Sequence, residues 1–136
     1  MRRSGRRARS RGGTLVEGAL VFLVLGVLIA GIMEVGIVGL AANAVTFAAH
    51  RAARFASLRG SSSGHAATVS DIQASATDYA SPLNPANLTV SVTWTPDNNP
   101  GSSVQVTVEY DLRPSVLPLS AHFLTLQSTA RHRIAQ

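Results

Sequence analysis

Residues 11–33 read RGGTLVEGALVFLVLGVLIAGIM, a glycine-containing start that leads into a long apolar run. From Gly18 to Met33 the run carries no charge and is rich in Leu, Val and Ile. As an α-helix these residues extend over about 24 Å, and residues 15–17 bring the length close to the ~30 Å hydrocarbon core of a bilayer. The stretch therefore predicts a membrane span over about residues 15–38, with Glu17 and Glu34 near opposite interfaces.

Positive charge is concentrated at the start of the chain. The 136 residues have a formal net charge of +5, but from Gly13 onward six arginines face seven acids, a charge of −1. Residues 1–12 are therefore expected to form a basic leader that stays in the cytoplasm, with the C-terminal part outside, and nucleic acid is not expected as a partner. The leader holds six arginines: Arg2, Arg3, Arg6, Arg7, Arg9 and Arg11.

The junction between leader and span contains a glycine pair, Gly12 and Gly13, and an acid, Glu17, that is the fifth residue counted from Gly13. This arrangement resembles type IV pilin-like precursors. The resemblance implies cleavage between Gly12 and Gly13 by a prepilin peptidase. The glycines are expected to interrupt the helix, so that the peptide ahead of Thr14 is extended and accessible.

Two interpretations of Glu17 stay open. Cleavage creates an α-amine on Gly13, and the Glu17 carboxylate of one subunit then pairs with the amine of a neighbour and sets the register between helices. A carboxylate in a bilayer is costly without such a partner. The other interpretation, which does not exclude the first, is a local role: Thr14 and Glu17 have the spacing of a capping box at a helix start, or the carboxylate extends to the membrane interface. Glu34 is a second candidate helix carboxylate.

An ordinary secretory signal is a competing interpretation of this N-terminus, because Ala42-Asn43-Ala44 has the small-x-small pattern of a cleavage site. The apolar run is longer than the ~7 to 15 residues of a signal core, and Glu34 precedes that site. A membrane anchor is therefore favoured.

Beyond Glu34 the helical periodicity continues to about Leu58, and Gly60 is the expected stop. Gly31-Ile32-Met33-Glu34, then Asn43-Ala44, then residues 48–56 (AAHRAARFA) resemble the TadE-like pilus assembly family of the tight-adherence (Tad) system. The resemblance implies a pseudopilin or minor pilin. At the position after Glu17, where Tad pilins commonly carry a tyrosine, this chain has Gly18.

The remaining residues, 59–136, predict a small exported α+β domain. Residues 66–80 have helical spacing and are followed by Pro82 and Pro85. Strict alternation predicts strands over residues 88–95 and 104–110, joined by the turn 96–101 into a hairpin whose apolar face packs on the C-terminal half of the long helix. A third antiparallel strand is expected at residues 124–131, after the proline-interrupted stretch 113–119.

No catalytic, metal or cofactor site is predicted, and the chain is not expected to be an enzyme. The four histidines lack metal-ligand spacing, and the acid pairs Asp71 with Asp78 and Glu109 with Asp111 are interpreted as surface acids. Trp94 is predicted to be a core residue rather than a carbohydrate-binding aromatic. The chain has no cysteine, so it forms no disulfide.

The sequence thus predicts a single-pass bacterial membrane protein, N-terminus inside, that enters an extracellular filament after assembly. Its expected partners are other pilin or pseudopilin subunits, prepilin peptidase, the inner-membrane pilus assembly machinery and the lipid bilayer. The alternative is an uncleaved single-pass anchor that presents a surface domain for binding a ligand or partner.

Overall fold

The computed structural model describes residues 8–113 and 124–135. The elements, in chain order, are α1 (Ala8–Ser57), α2 (Val69–Tyr79), a single 3₁₀ turn (Pro85–Asn87), β1 (Leu88–Thr95), β2 (Ser103–Leu112) and β3 (Leu124–Arg133). A long apolar helix, one further helix and a three-stranded antiparallel sheet confirm the predicted α+β class. Residues 1–7 of the leader and residues 114–119 of the predicted proline-interrupted stretch lie outside the described residues.

Helix α1 is continuous through Gly12 and Gly13. The predicted interruption is therefore wrong: each glycine costs about 1 kcal/mol relative to alanine in a helix, a penalty that an otherwise apolar, helix-forming run absorbs. Thr14 lies more than one turn inside α1 and is not its N-cap. Amides at residues 14–17 have carbonyl acceptors four residues earlier, so Thr14 does not cap the helix of the intact chain. For a chain that begins at Gly13, the capping box of Thr14 and Glu17 stays a prediction. The C-terminal end, Ser57, is one residue from the predicted limit.

The two halves of α1 have different surroundings. Up to Val35 its large apolar side chains are exposed, whereas from Ala41 a stripe of small residues is buried at three-to-four spacing. Alanine lets the helix axis approach the sheet closely, because its side chain ends at Cβ. The buried stripe consists of Ala41, Ala44, Val45, Ala48, Ala49, Ala52, Ala53 and Ala56.

Helix α2 begins at a capping box that the sequence analysis did not identify. Thr68 Oγ1 accepts a hydrogen bond from the backbone N–H of Asp71 (3.2 Å), and the Thr68 N–H donates to Asp71 Oδ2 (3.0 Å). These bonds satisfy amides at the helix start, so α2 begins at Val69 rather than at the predicted residue 66. Ile72 and Ala76, one turn apart, are buried against α1 and the sheet.

The sheet has the order β1-β2-β3, and both pairs are antiparallel. Strand β1 has the predicted limits, while β2 and β3 each extend two residues further than predicted at their C-terminal ends. Alternation puts Val104, Val106 and Val108 on the inner face, where they have no exposed surface. Trp94 is half-buried and packs against this core, as predicted. The hairpin turn uses Gly101 at φ 90°, a left-handed conformation that favours glycine.

The inner face of the sheet is covered by both helices. Helix α1 packs on β2 and β3, and α2 contacts β1, where Gln73 Nε2 donates to the carbonyl of Val90 at 3.1 Å. The predicted packing of the β1–β2 hairpin on α1 is thus correct for β2, and the third strand shares that contact. The N–H of Ala135 donates to the carbonyl of Ser57 at 3.1 Å and ties the end of the sheet to the end of α1.

Candidate functional site: the N-terminal helix

The N-terminal half of α1 is an apolar surface that the rest of the described chain does not cover. Leu15 and Phe22 are each 75% exposed and Ile32 is 65% exposed, although all three are large apolar side chains. Among the described residues, α1 is the one helix long and apolar enough to cross a membrane, and its most apolar window is entirely unburied. Burial in lipid or against another helix would remove this surface from water.

The predicted processing and register residues lie along one exposed stretch of α1. Gly12, Gly13, Thr14 and Glu17 are all exposed. A Cβ added at either glycine would meet no atom within 4 Å, so packing within this chain does not require glycine there.

Glu34 lies about 26 Å along the helix axis from Glu17, and about 100° around it. The structure therefore does not bring the two acids together. Glu34 is half-buried and precedes Ala41 by seven residues, which puts both on nearly the same face of α1. Ile37 and Val38, on the turn between them, pack against the domain core. Glu34 thus lies on the domain-facing side of the helix, just below the domain.

The C-terminal half of α1 contacts α2 through an arginine and two aromatic side chains. The Arg51 guanidinium lies 5.0 Å from the ring centre of Phe47 and 5.9 Å from that of Tyr79, and the two rings meet edge to face at 5.8 Å. Arg59 lies 4.4 Å from the ring centre of Phe55. The sequence predicts part of this arrangement, since residues 47, 51 and 55 share one face of α1. The position of Tyr79 depends on the tertiary packing of α2, which spacing alone does not give.

Two carboxylates of the domain have lowered pKa values because they accept hydrogen bonds. For Asp71 the main cause is the backbone N–H of Thr68, followed by the Thr68 hydroxyl, and Arg59 adds a favourable charge. For Asp97 the hydroxyl of Ser102 lowers the pKa most, followed by the backbone and side-chain amides of Asn99. Both acids organise local structure: Asp71 starts α2, and Asp97 shapes the β1–β2 turn.

Residues 8–113 and 124–135 contain no group of three or more His, Asp or Glu side chains arranged to hold a metal ion. The fold does bring two histidines together that are far apart in sequence. The rings of His50 on α1 and His132 on β3 meet edge to face with centres 6.5 Å apart. His122 lies outside the described residues.

Comparison with known proteins agrees with the motifs of the helix. The family model described as TadE-like protein matches residues 12–54, nearly all of α1 after the leader. No curated protein and no solved structure matches the chain significantly. Over residues 12–54, which include Glu17 and Glu34, the chain is similar to TadE-like proteins, a family associated with the Tad pilus.

Proposed function

We propose that the chain is a membrane-anchored pseudopilin or minor pilin, a structural subunit in the assembly of a Tad pilus or secretion filament. The observation that carries this proposal is the division of α1. One continuous helix exposes large apolar side chains up to Val35 and is built into the core of a folded domain from Ala41. Such a helix holds the subunit in the bilayer first and packs against other subunits after extraction.

The same division argues against removal of α1 as a secretory signal. A cut after Ala44 would break the helix inside the domain and remove Ala41 and Ala44 from the core, where they are 2% and 9% exposed. The domain therefore depends on residues that signal cleavage would discard.

In the proposed subunit, cleavage by prepilin peptidase between Gly12 and Gly13 leaves an α-amine, and the Glu17 carboxylate pairs with the α-amine of a neighbouring subunit. Gly13 and Glu17 are four residues apart, so the neighbour is displaced by about 6 Å along the helix axis. The inner-membrane assembly machinery then acts on a chain whose N-terminus faced the cytoplasm and whose domain faced outside.

An uncleaved single-pass anchor with a partner-binding surface domain is the second candidate. One observation favours it: α1 is helical through Gly12 and Gly13, so the bond between them is not presented in extended form.

Mass spectrometry of the membrane-extracted protein separates these candidates. We expect a chain that begins at Gly13. Gly12→Val should prevent this processing, whereas Gly18→Val, also at a glycine whose added Cβ meets no atom within 4 Å, should leave it unchanged. A chain that retains Met1, or one that starts after Ala44, would contradict the pilin function.

Glu17→Ala tests the proposed register contact. The variant should insert into the membrane and be processed normally, because the span becomes only more apolar, but its incorporation into filaments should fall severalfold. Incorporation is measured by immunoblotting of sheared filaments against the membrane fraction. Normal incorporation would show that Glu17 does not set the register between subunits.

A further inference from the structure

One edge strand of the sheet, β1, is contacted by a helix, whereas the outer side of the other edge strand, β3, is uncovered in the described part of the chain. At the β1 edge, α2 lies alongside and Gln73 donates a hydrogen bond to the carbonyl of Val90. Strand β3 pairs with β2 along its whole length, from Leu124 to Arg133, and forms the opposite edge. Among the described residues, no strand or helix hydrogen-bonds to the outer side of β3. An exposed strand edge is either protected or used for binding.

Five basic side chains surround the upper half of this edge, and we call them the basic flank: His50, Arg54, Arg131, His132 and Arg133. Helix α1 contacts the β3 side of the sheet at two points: His50 meets His132, and the carbonyl of Ser57 accepts a hydrogen bond from Ala135. Arg54 lies between these two points, about one turn from each. On the other side, alternation puts Arg131 and Arg133 on the outer face of the sheet. All three arginines of the flank are exposed.

Among the described residues, no acid lies opposite the arginines of the basic flank in the strand register. Arg133 Nε donates to the carbonyl of Gly101 at 3.1 Å, in the turn that also contains Asp97. Opposite Arg131 and Arg133 on β2 are Gln105 and Ser103. The nearest acid on the outer face by register is Glu109, which pairs with Gln127. Gln127 precedes Arg131 by four strand residues, so Glu109 is about 13 Å away.

The lower half of the same outer face carries the opposite charge. Glu109 accepts a hydrogen bond from Gln127 at 2.8 Å, and Asp111 accepts one from Thr125 at 2.7 Å. Both of these partners are neutral side chains. The exposed Arg113 follows Asp111 by two residues, so the lower half carries two acids and one arginine and is less negative than the two carboxylates alone. We call Glu109 and Asp111 the acidic patch. It lies toward the membrane, because β3 advances from His132 to Ala135 as α1 advances from His50 to Ser57, away from the span.

We propose that the basic flank of one copy binds the acidic patch of a second copy. The proposal rests on the proposed function as a filament subunit. In a filament whose subunits all run parallel, the two surfaces lie at different heights, so the second copy is shifted by about 13 Å along the helix axis, away from the membrane. A contact between two different surfaces that includes a translation does not close into a ring but continues as a helical array. The shift is about twice the offset of the Glu17 contact, so the two contacts join different pairs of neighbours.

The charges select the height and orientation of the neighbour rather than supply most of the affinity. Ion pairs between exposed side chains contribute little individually, and like charges brought face to face are strongly disfavoured. A parallel neighbour without an offset would oppose basic flank to basic flank and acidic patch to acidic patch. The competing explanation is that the arginines only protect β3 from pairing with other strands.

Disulfide trapping tests the contact in the full chain, which has no cysteine of its own. Gln105→Cys lies beside Arg131, and Thr89→Cys lies beside Glu109, with both positions exposed on the outer face. The two positions are four residues apart in register, about 14 Å, beyond the ~7 Å limit for a disulfide within one copy. Oxidation of cell membranes and sheared filaments should therefore give covalent multimers. As a control, Ser70→Cys on α2 replaces Gln105→Cys, and multimers should be at least tenfold fewer.

Reversing the charges of the two surfaces tests whether their attraction causes the trapping. Arg131→Glu with Arg133→Glu should reduce the trapped multimers at least tenfold, and the further changes Glu109→Arg and Asp111→Arg should restore them. Thermal unfolding of each variant confirms that the domain is folded. If the variant with Arg131→Glu and Arg133→Glu gives as many trapped multimers as the parent, the proposal is overturned and the arginines only protect the strand edge. Disulfide adducts with a different protein would overturn the assignment to a second copy.

The N-terminal residue, measured on the same samples, separates this inference from the proposed function. Chains that begin at Gly13 and enter filaments without trapped multimers would overturn the inference and leave the function in place. Chains that retain Met1 would overturn the function, and the presence or absence of multimers would then decide whether the surface contact exists without a filament.

Discussion

The threonine-x-x-acid pattern occurs at residues 14–17 and again at residues 68–71, and only the second is a capping box in the fold. A cap stabilises a helix only where backbone amides lack acceptors, which is at the start of the helix. Because α1 starts before Thr14, the first pattern has no such amides to bind. Sequence spacing identifies a candidate cap, but the length of the preceding helix decides whether it acts as one.

Asp71 should make the domain sensitive to acid. Its pKa is lowered below the ordinary value of 3.8 because the carboxylate accepts hydrogen bonds from Thr68. A group with a lowered pKa stabilises the folded state fully above its ordinary pKa and loses that contribution as the pH falls through the folded pKa. The unfolding temperature in detergent should therefore fall as the pH is lowered from 5 to 3.

Asp71→Asn should lower the unfolding temperature at pH 7 and flatten its dependence on pH in this range. Asp78→Asn is the matched control, because Asp78 lies on the same helix and accepts no hydrogen bond in the described part of the chain. Circular dichroism measures the unfolding temperature of each variant as a function of pH. The expectation fails if the two variants show the same pH dependence, or if the first retains that of the parent.

At the scale of elements, alternation and helical periodicity were enough to predict the strands and the long helix. Leu88, Val90, Val92 and Trp94 alternate with polar residues, and β1 has the predicted limits. The fastening of α1 to α2 was not predicted, because the partner of Phe47 and Arg51 is Tyr79 on another element. Local pattern reports which face of an element is apolar, but not which element covers it.

The alanine stripe of α1 should tolerate no larger side chain. Ala52 has no exposed surface and lies in the core cluster with the sheet valines. Ala52→Leu inserts three carbons where the helix approaches the sheet, and we expect a loss of about 1–3 kcal/mol in the free energy of unfolding. Denaturant unfolding in mild detergent provides the measurement.

Ala74→Leu makes the same substitution at an exposed alanine of α2 and should change the free energy of unfolding by less than about 0.5 kcal/mol. A comparable loss in both variants would mean that the α1 interface is not close-packed at Ala52.

At the scale of the whole molecule, the sequence predicted only part of the distribution of charge. The sequence located the six leader arginines, but the arginines of the basic flank are 54, 131 and 133, and only the fold puts them around one edge. Similarly, no spacing rule relates His50 to His132. Contacts between residues so distant in sequence depend on the order of the strands and on the side of the sheet that each helix covers.

Processing at Gly12 should change the charge of the entire molecule. The intact chain has a formal charge of +5, and the chain from Gly13 onward has −1. On isoelectric focusing in urea and detergent, the processed form should focus near neutral pH and the intact form far above it. Gly12→Val should give only the basic form. A single basic species from the parent chain would contradict removal of the leader.

The uninterrupted course of α1 has a mechanical consequence. No loop separates the membrane-facing half from the half that forms the domain core, and the end of the helix is hydrogen-bonded to the end of the sheet through Ser57 and Ala135. A force on the domain therefore acts along the axis of α1, and rotation of α1 about that axis rotates the domain with it. In the proposed filament, each subunit would therefore transmit tension and torque through α1 without an intervening loop.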